Sequence, residues 1–252
     1  MSSFSWLYYR YIFLRENRIA QAIESLVGSP GMPSRQMWET QYQNRSWARL
    51  KELREQAHNA VVLSYITHLR PESSLLEIGC GEGTLFPQLK RLGYRTYTGV
   101  DISEFAIRQC QQFSDLKTVF AACDAESYVP SAAFDIIILN ECIYYFVQPI
   151  ATLQRYADYL LPGGLFVISL FDSSRTRPIR RRLKSTFSLV DETLVSNSKG
   201  TWYCLVLSQP VPIQRSEMPT EYGVIQLDVV SSHEADAYQK SRAWCSGGDI
   251  KK

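Results

Sequence analysis

The sequence predicts an open α/β fold, a mostly parallel sheet with helices on both faces. Two observations carry that expectation. Between residues 73 and 208 short apolar runs alternate with helical segments, the order that repeated βαβ units impose. Runs such as FDIIIL (134–139) and LFVISLF (165–171) show no polar alternation, as strands covered on both faces require.

Residues 1–70 read as helix. Apolar positions Trp6, Leu7, Tyr9 and Phe13, then Ile19, Ile23 and Leu26, recur at helical spacing until Gly28, Pro30 and Gly31 stop the run. A second helix is expected from Arg35, and a third through Leu50, Leu53, Ala57, Val61 and Ile66 to Pro71. Five strands follow at 75–78, 96–100, 118–122, 134–139 and 165–170, with helices near 84–92, 103–113 and 149–161. The stretches FSLVDETLVSN and TWYCLVLSQ read as a hairpin joined through Lys199 and Gly200. Pro210, Pro212, Pro219, Gly247 and Gly248 mark an irregular tail, whose run 223–230 is expected to dock as an edge strand. The expected organisation is a helical cap at 1–70, a core at 71–209 and a C-terminal extension at 210–252.

Composition narrows the function classes. With 252 residues, 45% of them hydrophobic, the chain can bury a full core without staples. Lys plus Arg 27 against Asp plus Glu 25 gives a net charge of +2, too balanced for a bulk polyanionic partner, so no nucleic acid is expected. The six cysteines (Cys80, Cys110, Cys123, Cys142, Cys204, Cys245) form no C-x-x-C, and His58, His68 and His233 complete no zinc spacing. The N-terminal apolar stretch is broken by Arg10 and Arg15 and lacks a cleavage site, and no window reaches the ~18 uncharged apolar residues of a membrane span. A soluble, cytoplasmic protein is expected.

The segment LLEIGCGEG carries the chemistry. A buried strand runs directly into Gly79, Gly81 and Gly83, where the backbone can turn sharply and touch a ligand. Thr84 stands where a dehydrogenase fingerprint needs its third glycine, so that reading fails. Asp101 closes the second run, 24 residues after Glu77; Asp124 follows the third, and Asn140 and Glu141 follow the fourth. All lie at strand carboxyl ends, where open α/β sheets bind ligands.

These pieces together resemble the class I S-adenosylmethionine-dependent methyltransferases. The resemblance covers residues 73 to about 208 and rests on EIGCGEG, VDIS, CDAES, FDIIILNECIYYF and LLPGGLFVISLF. It implies a Rossmann-like seven-stranded sheet of order 3-2-1-4-5-7-6, with only the seventh strand, TWYCLVLSQ, antiparallel. It also implies S-adenosylmethionine as cofactor and S-adenosylhomocysteine as product. By that resemblance Gly79, Cys80 and Gly81 pass the methionine moiety, and Glu77 orients the loop and binds the amino group. Asp101 binds the ribose, Ile102 packs on adenine, Asp124 meets the adenine amine and the Ala125 N–H its ring nitrogen. The main chain at Asn140 faces the methionine amino group. MWETQYQNRSW resembles the family's helical cap; Trp38 and Tyr42, four apart, either reach the pocket or pack as core against the next helix.

The acceptor side is less determined. No histidine follows the fourth or fifth strand; Glu141, Tyr144, Tyr145 and Asp172 are the candidate groups. Glu141 reads either as a base or as a helix N-terminal carboxylate, and the tyrosines either as acceptor wall or as core. No metal site is expected. NECI replaces the D/N-P-P-Y of nucleic-acid amino-methyltransferases, and ECIYYF with the hairpin is similar to nodulation-factor type N-methyltransferases. Arg175, Arg177, Arg180, Arg181, Arg182 and Lys184 form either a solvated helix face or a funnel for an anionic acceptor. The aromatic N-terminus is either an interface for a partner or membrane surface, or core. The expected activity is in-line methyl transfer to O or N of a small-molecule acceptor such as a natural product or sugar derivative. The alternatives are a non-catalytic binding or scaffold protein, or a larger protein or RNA acceptor.

Overall fold

A computed structural model describes residues 33–210. Its centre is a seven-stranded sheet of order β3-β2-β1-β4-β5-β7-β6, as the family resemblance implies. The strands are β1 (Ser74–Ile78), β2 (Thr96–Asp101), β3 (Thr118–Ala122), β4 (Phe134–Asn140), β5 (Leu160–Phe171), β6 (Ser188–Asn197) and β7 (Gly200–Ser208). The first five run parallel, and β7 pairs antiparallel with both β5 and β6.

Period-two geometry explains why β4 needs apolar residues throughout. Ile136 and Ile138 join the core under one set of helices, while Ile137 and Leu139 join the core on the other side. A bulge between Phe134 and Ile136 turns Phe134 to the face of Ile137. One face is covered by α2 (Gln56–Leu69), α3 (Phe86–Leu92) and α4 (Glu104–Cys110) through Val62, Leu63, Ile66, Phe86, Leu89 and Ile107. The opposite face is covered by α5 (Pro149–Ala157) and α6 (Thr176–Thr186) through Leu153, Tyr156 and Leu183. The remaining helix, α1 (Arg35–Gln43), starts at Ser34, whose hydroxyl accepts the Met37 N–H.

The elements differ from expectation in several places. The third helix begins only at Gln56, after 3₁₀ turns at Ala48–Lys51 and Leu53–Glu55. Glu52 between them is extended (φ −67°, ψ 148°), and Leu53, counted as a helical core position, is 87% exposed. Next, α5 stops at Ala157 and β5 already starts at Leu160, because Leu160 pairs with Phe134. Finally, the basic segment 176–186 is a helix that apolar periodicity barely marks, since only Ile179 and Leu183 face the core. The expected first helix, the aromatic N-terminus and the strand at 223–230 lie outside the described residues. No described helix is long and apolar enough to cross a membrane.

Candidate active site

The turn after β1 is built from left-handed glycines. Gly79, Gly81 and Gly83 have φ of 72°, 54° and 71°, a region that side chains with a Cβ rarely occupy. A Cβ on Gly79 would lie 2.6 Å from that of Cys142, and one on Gly81 would lie 2.9 Å from the Tyr42 hydroxyl. The Gly79 and Cys80 amides donate to the Val100 carbonyl at 2.7 and 3.1 Å, which ties the loop to the end of β2. Gly83 keeps the chain in the turn, so α3 starts at Phe86 and not at Thr84.

Two buried carboxylates set the electrostatics. Asp101 accepts the Gly81 amide on one oxygen and the Ser103 amide on the other, both at 2.9 Å. It therefore clamps the glycine turn to the start of α4. Burial lifts its carboxyl to about 6, and the Ser103 and Gly81 amides hold the rise in check. Glu77, 2% exposed, accepts the Tyr97 hydroxyl at 2.5 Å. Burial lifts it further, to about 7, against the opposing Tyr97 bond.

A cavity of about 250 Å³ opens over this turn. Glu77, Gly79, Cys80 and Gly81 line it, as do Asp101 and Ile102 after β2, Asp124 and Ala125 after β3, and Asn140 after β4. The loop after β3 is pinned. Asp124 Oδ1 accepts the Glu126 amide at 2.8 Å, and the Ala125 carbonyl accepts Arg155 Nη2 and the Tyr156 hydroxyl at 2.9 and 2.7 Å. Asn140 stands opposite Ser169 in the sheet; it accepts the Ser169 hydroxyl at 2.7 Å and donates to Asn59 Oδ1 at 2.8 Å.

Glu141, Tyr144 and Tyr145 line the same cavity. Glu141 is held at φ 60°, a strained value for a non-glycine residue and one common at functional sites. Its carboxylate accepts the Tyr144 hydroxyl at 3.0 Å and the Ser169 hydroxyl at 3.3 Å. Asp172 is not among the lining residues; it takes Arg177 in a two-point bond at 2.7 and 3.0 Å.

The cap helix reconciles both readings of its aromatic pair. Trp38 and Tyr42 line the cavity and also pack in a cluster with Trp47. The Trp38 ring stacks on Trp47 at 5.6 Å and meets Tyr145 edge-on at 4.8 Å. Sequence reasoning missed Trp47, Arg49, Glu55, His58 and Asn59, which complete the wall from the 3₁₀ turns and α2. Their signal was faint: polar residues inside a helical run, with Glu55, His58 and Asn59 each 3% exposed. Arg49 pairs with Glu55 at 3.4 Å, and the His58 ring stacks on Trp202 at 4.9 Å.

The basic segment lies elsewhere. None of its six cations is among the cavity-lining residues. Arg180 forms a two-point pair with Glu192 at 2.5 and 2.6 Å, Lys184 joins the same carboxylate at 2.9 Å, and Arg180 sits 3.9 Å over the Tyr203 ring. Two of the six cations thus share one hairpin carboxylate, and Arg177 is held by Asp172. Among the described residues no His, Cys, Asp and Glu cluster could hold a metal ion.

Known proteins share this fold. A solved N-methyltransferase, NodS from Bradyrhizobium japonicum WM9 in complex with S-adenosyl-L-homocysteine, matches with a TM-score of 0.57 at 21% identity. That match covers 66% of this chain and 92% of NodS. The 1,6-didemethyltoxoflavin-N1-methyltransferase of Burkholderia thailandensis matches at 0.57 and 20%, covering 69% and 86% of the two chains. At such identities the likeness concerns the fold. Among curated relatives, the ubiquinone biosynthesis O-methyltransferase of Caulobacter sp. (strain K31) is 33% identical over 100 residues, 38% of this chain and 39% of that protein. A malonyl-acyl-carrier-protein O-methyltransferase of Brevibacillus brevis is 30% identical over 121 residues, 45% and 44% of the two. Each of these matches spans less than half the length of the curated relative concerned. A family model described as a methyltransferase domain matches residues 37–213, most of the chain and nearly all of the described fold. By that match this chain belongs to the methyltransferase-domain family.

Proposed function

We propose that this protein transfers a methyl group from S-adenosylmethionine to an oxygen or nitrogen atom of a small-molecule acceptor. One observation carries the reading: a glycine turn with no room for a Cβ is clamped by Asp101 and shares one cavity with the acidic ends of β1, β2 and β3. These residues fit the cofactor. Gly79, Cys80 and Gly81 offer bare backbone to the methionine chain, while Glu77 and the main chain at Asn140 serve its ammonium. Asp101 accepts the ribose hydroxyls, Ile102 packs on adenine, Asp124 accepts the exocyclic amine, and the Ala125 N–H meets a ring nitrogen. Tyr42 closes the cavity over Gly81. When bound, the cofactor supplies an electrophilic methyl on a sulfonium. The protein contributes alignment and exclusion of water, the usual share of an enzyme whose cofactor carries the chemistry. Glu141, Tyr144 and Tyr145 form the acceptor wall, with Glu141 able to take a proton. The organisation that goes with this reading is a cap at 1–70, a core at 71–209 and an extension at 210–252, with Trp38 and Tyr42 of the cap lining the cavity.

No cation of α6 lines the cavity, whereas Glu141 does, so a neutral or amine acceptor suits the wall better. Calorimetry tests the core of the reading. S-adenosylhomocysteine should bind the folded protein with micromolar affinity; folded protein that gives no heat with it or with S-adenosylmethionine would overturn the proposal. Release of S-adenosylhomocysteine across a panel of acceptors then identifies the substrate.

A further inference from the structure

One contact between the cap and the sheet reaches the turn that the ribose reading uses. Glu39, in the middle of α1, sends its carboxylate across 64 residues of chain to the start of α4. There it accepts the Ser103 hydroxyl at 3.0 Å, the Glu104 amide at 2.6 Å and the Phe105 amide at 3.1 Å. Arg35, one turn earlier, donates to the Ile102 carbonyl at 2.9 Å. The same turn is gripped from beneath by Asp101, whose Oδ1 accepts the Ser103 amide. Residues 101–105 thus have two owners, the cap above and the cofactor cradle below.

We propose that Glu39 is a positioning residue that latches α1 onto the 101–105 turn, so that cofactor binding and cap docking are one coupled event and the cofactor binds before the acceptor. The inference rests on the cofactor reading given above. Three features support the coupling. Helix α1 carries Trp38 and Tyr42 on the cavity side, so its seating decides whether the aromatic wall exists. Trp38 meets Tyr145 edge-on, which links the seated cap to the acceptor side. The Glu39 carboxylate accepts hydrogen bonds from amides at the start of α4 that would otherwise need water, so the latch closes where the backbone has donors to satisfy. Coupling of this kind is reciprocal: whatever a seated cap adds to cofactor affinity, the cofactor adds to cap docking. An acceptor arriving first meets a wall not yet stabilised. With cofactor in place the wall is assembled.

Hydrogen exchange on the full chain reads the coupling without turnover. In the wild type, S-adenosylhomocysteine should slow exchange of the α1 amides as well as those of the glycine turn. In Glu39→Gln, which leaves a single acceptor oxygen for three donors, the protection of α1 should be lost while that of the turn remains. Affinity for S-adenosylhomocysteine should fall roughly tenfold, about 1.4 kcal/mol, and its dissociation should accelerate. Arg35→Ala should move each quantity the same way by less. Initial-rate kinetics should change from compulsory order in the wild type toward random order in Glu39→Gln. Wild-type protein that binds S-adenosylhomocysteine without slowing α1 exchange would overturn the latch and leave the cofactor reading intact. Failure to bind at all would overturn that reading first. A Glu39→Gln protein that folds normally and keeps α1 protection would also overturn the latch.

Discussion

Asp101 has a double duty that makes its substitution informative. Its oxygens hold the Gly81 and Ser103 amides, and the same carboxylate is the expected ribose acceptor. Asp101→Ala should weaken S-adenosylhomocysteine by roughly 1.5–3 kcal/mol, the usual loss for hydrogen bonds to a charged group, measured by calorimetry. An unchanged affinity would remove Asp101 from the site. The buried carboxyls also impose a pH dependence. Glu77 and Asp101 are lifted by burial to about 7 and about 6, so the folded protein holds protons that an unfolded chain releases. Their contribution to stability is complete below about pH 4 and is lost as pH rises through the folded values. Cofactor binding runs the other way, because an ammonium and two ribose hydroxyls need ionised acceptors. Between about pH 5 and 8 the thermal midpoint of the free protein should fall while affinity for S-adenosylmethionine rises. Near pH 6 the binding heat should vary with buffer ionisation enthalpy, reporting proton release; invariance would contradict it.

The glycine turn tolerates little. Gly79→Ala would place a Cβ 2.6 Å from that of Cys142 at a φ of 72°, so both strain and a clash with a stem atom arise. It should cost about 2 kcal/mol or more, seen as a lowered denaturation midpoint, and a wild-type midpoint would contradict the tightness of the turn. The α6 face should behave in the opposite manner. Neutralising Arg180, Arg181 and Arg182 together should lower stability by about 1 kcal/mol through the Glu192 pair and the Tyr203 contact. The acceptor KM should not change, and a raised KM would restore the funnel. These two elements also show what the sequence made legible. The glycine turn and the strand-end carboxylates were readable because a buried parallel strand has no polar residue to spare, so a polar residue after it stands out. The start of α2, the bounds of α6 and the Glu39 latch were not. Leu53 keeps helical spacing yet faces solvent, α6 buries only one stripe of two residues, and Glu39 finds its partners 64 residues away. Such features are decided by docking, which no local pattern records.

Among the described residues the cavity lies on one rim of the sheet. Every cavity-lining residue of the sheet lies at or just after the carboxyl end of a strand, and the cap closes the open side. The cores on the two faces are bound to this rim through β4, whose alternate residues serve both. The interior position of β1, between β2 and β4, carries a cost in time. Its registers join Leu75 to Tyr97 on one side and to Ile136 on the other. During synthesis the β1–β2–β3 half can pair as soon as residue 122 has emerged, but the other edge of β1 waits for β4. That edge is apolar on both faces and has open backbone donors, the profile of a strand that pairs with the wrong chain. Refolding from denaturant should therefore be slow, on the order of milliseconds to seconds, and its yield should fall as protein concentration rises. A fragment ending before β4 should aggregate where one that also carries β4 to β7, and so leaves neither β1 nor β5 with an open edge, does not.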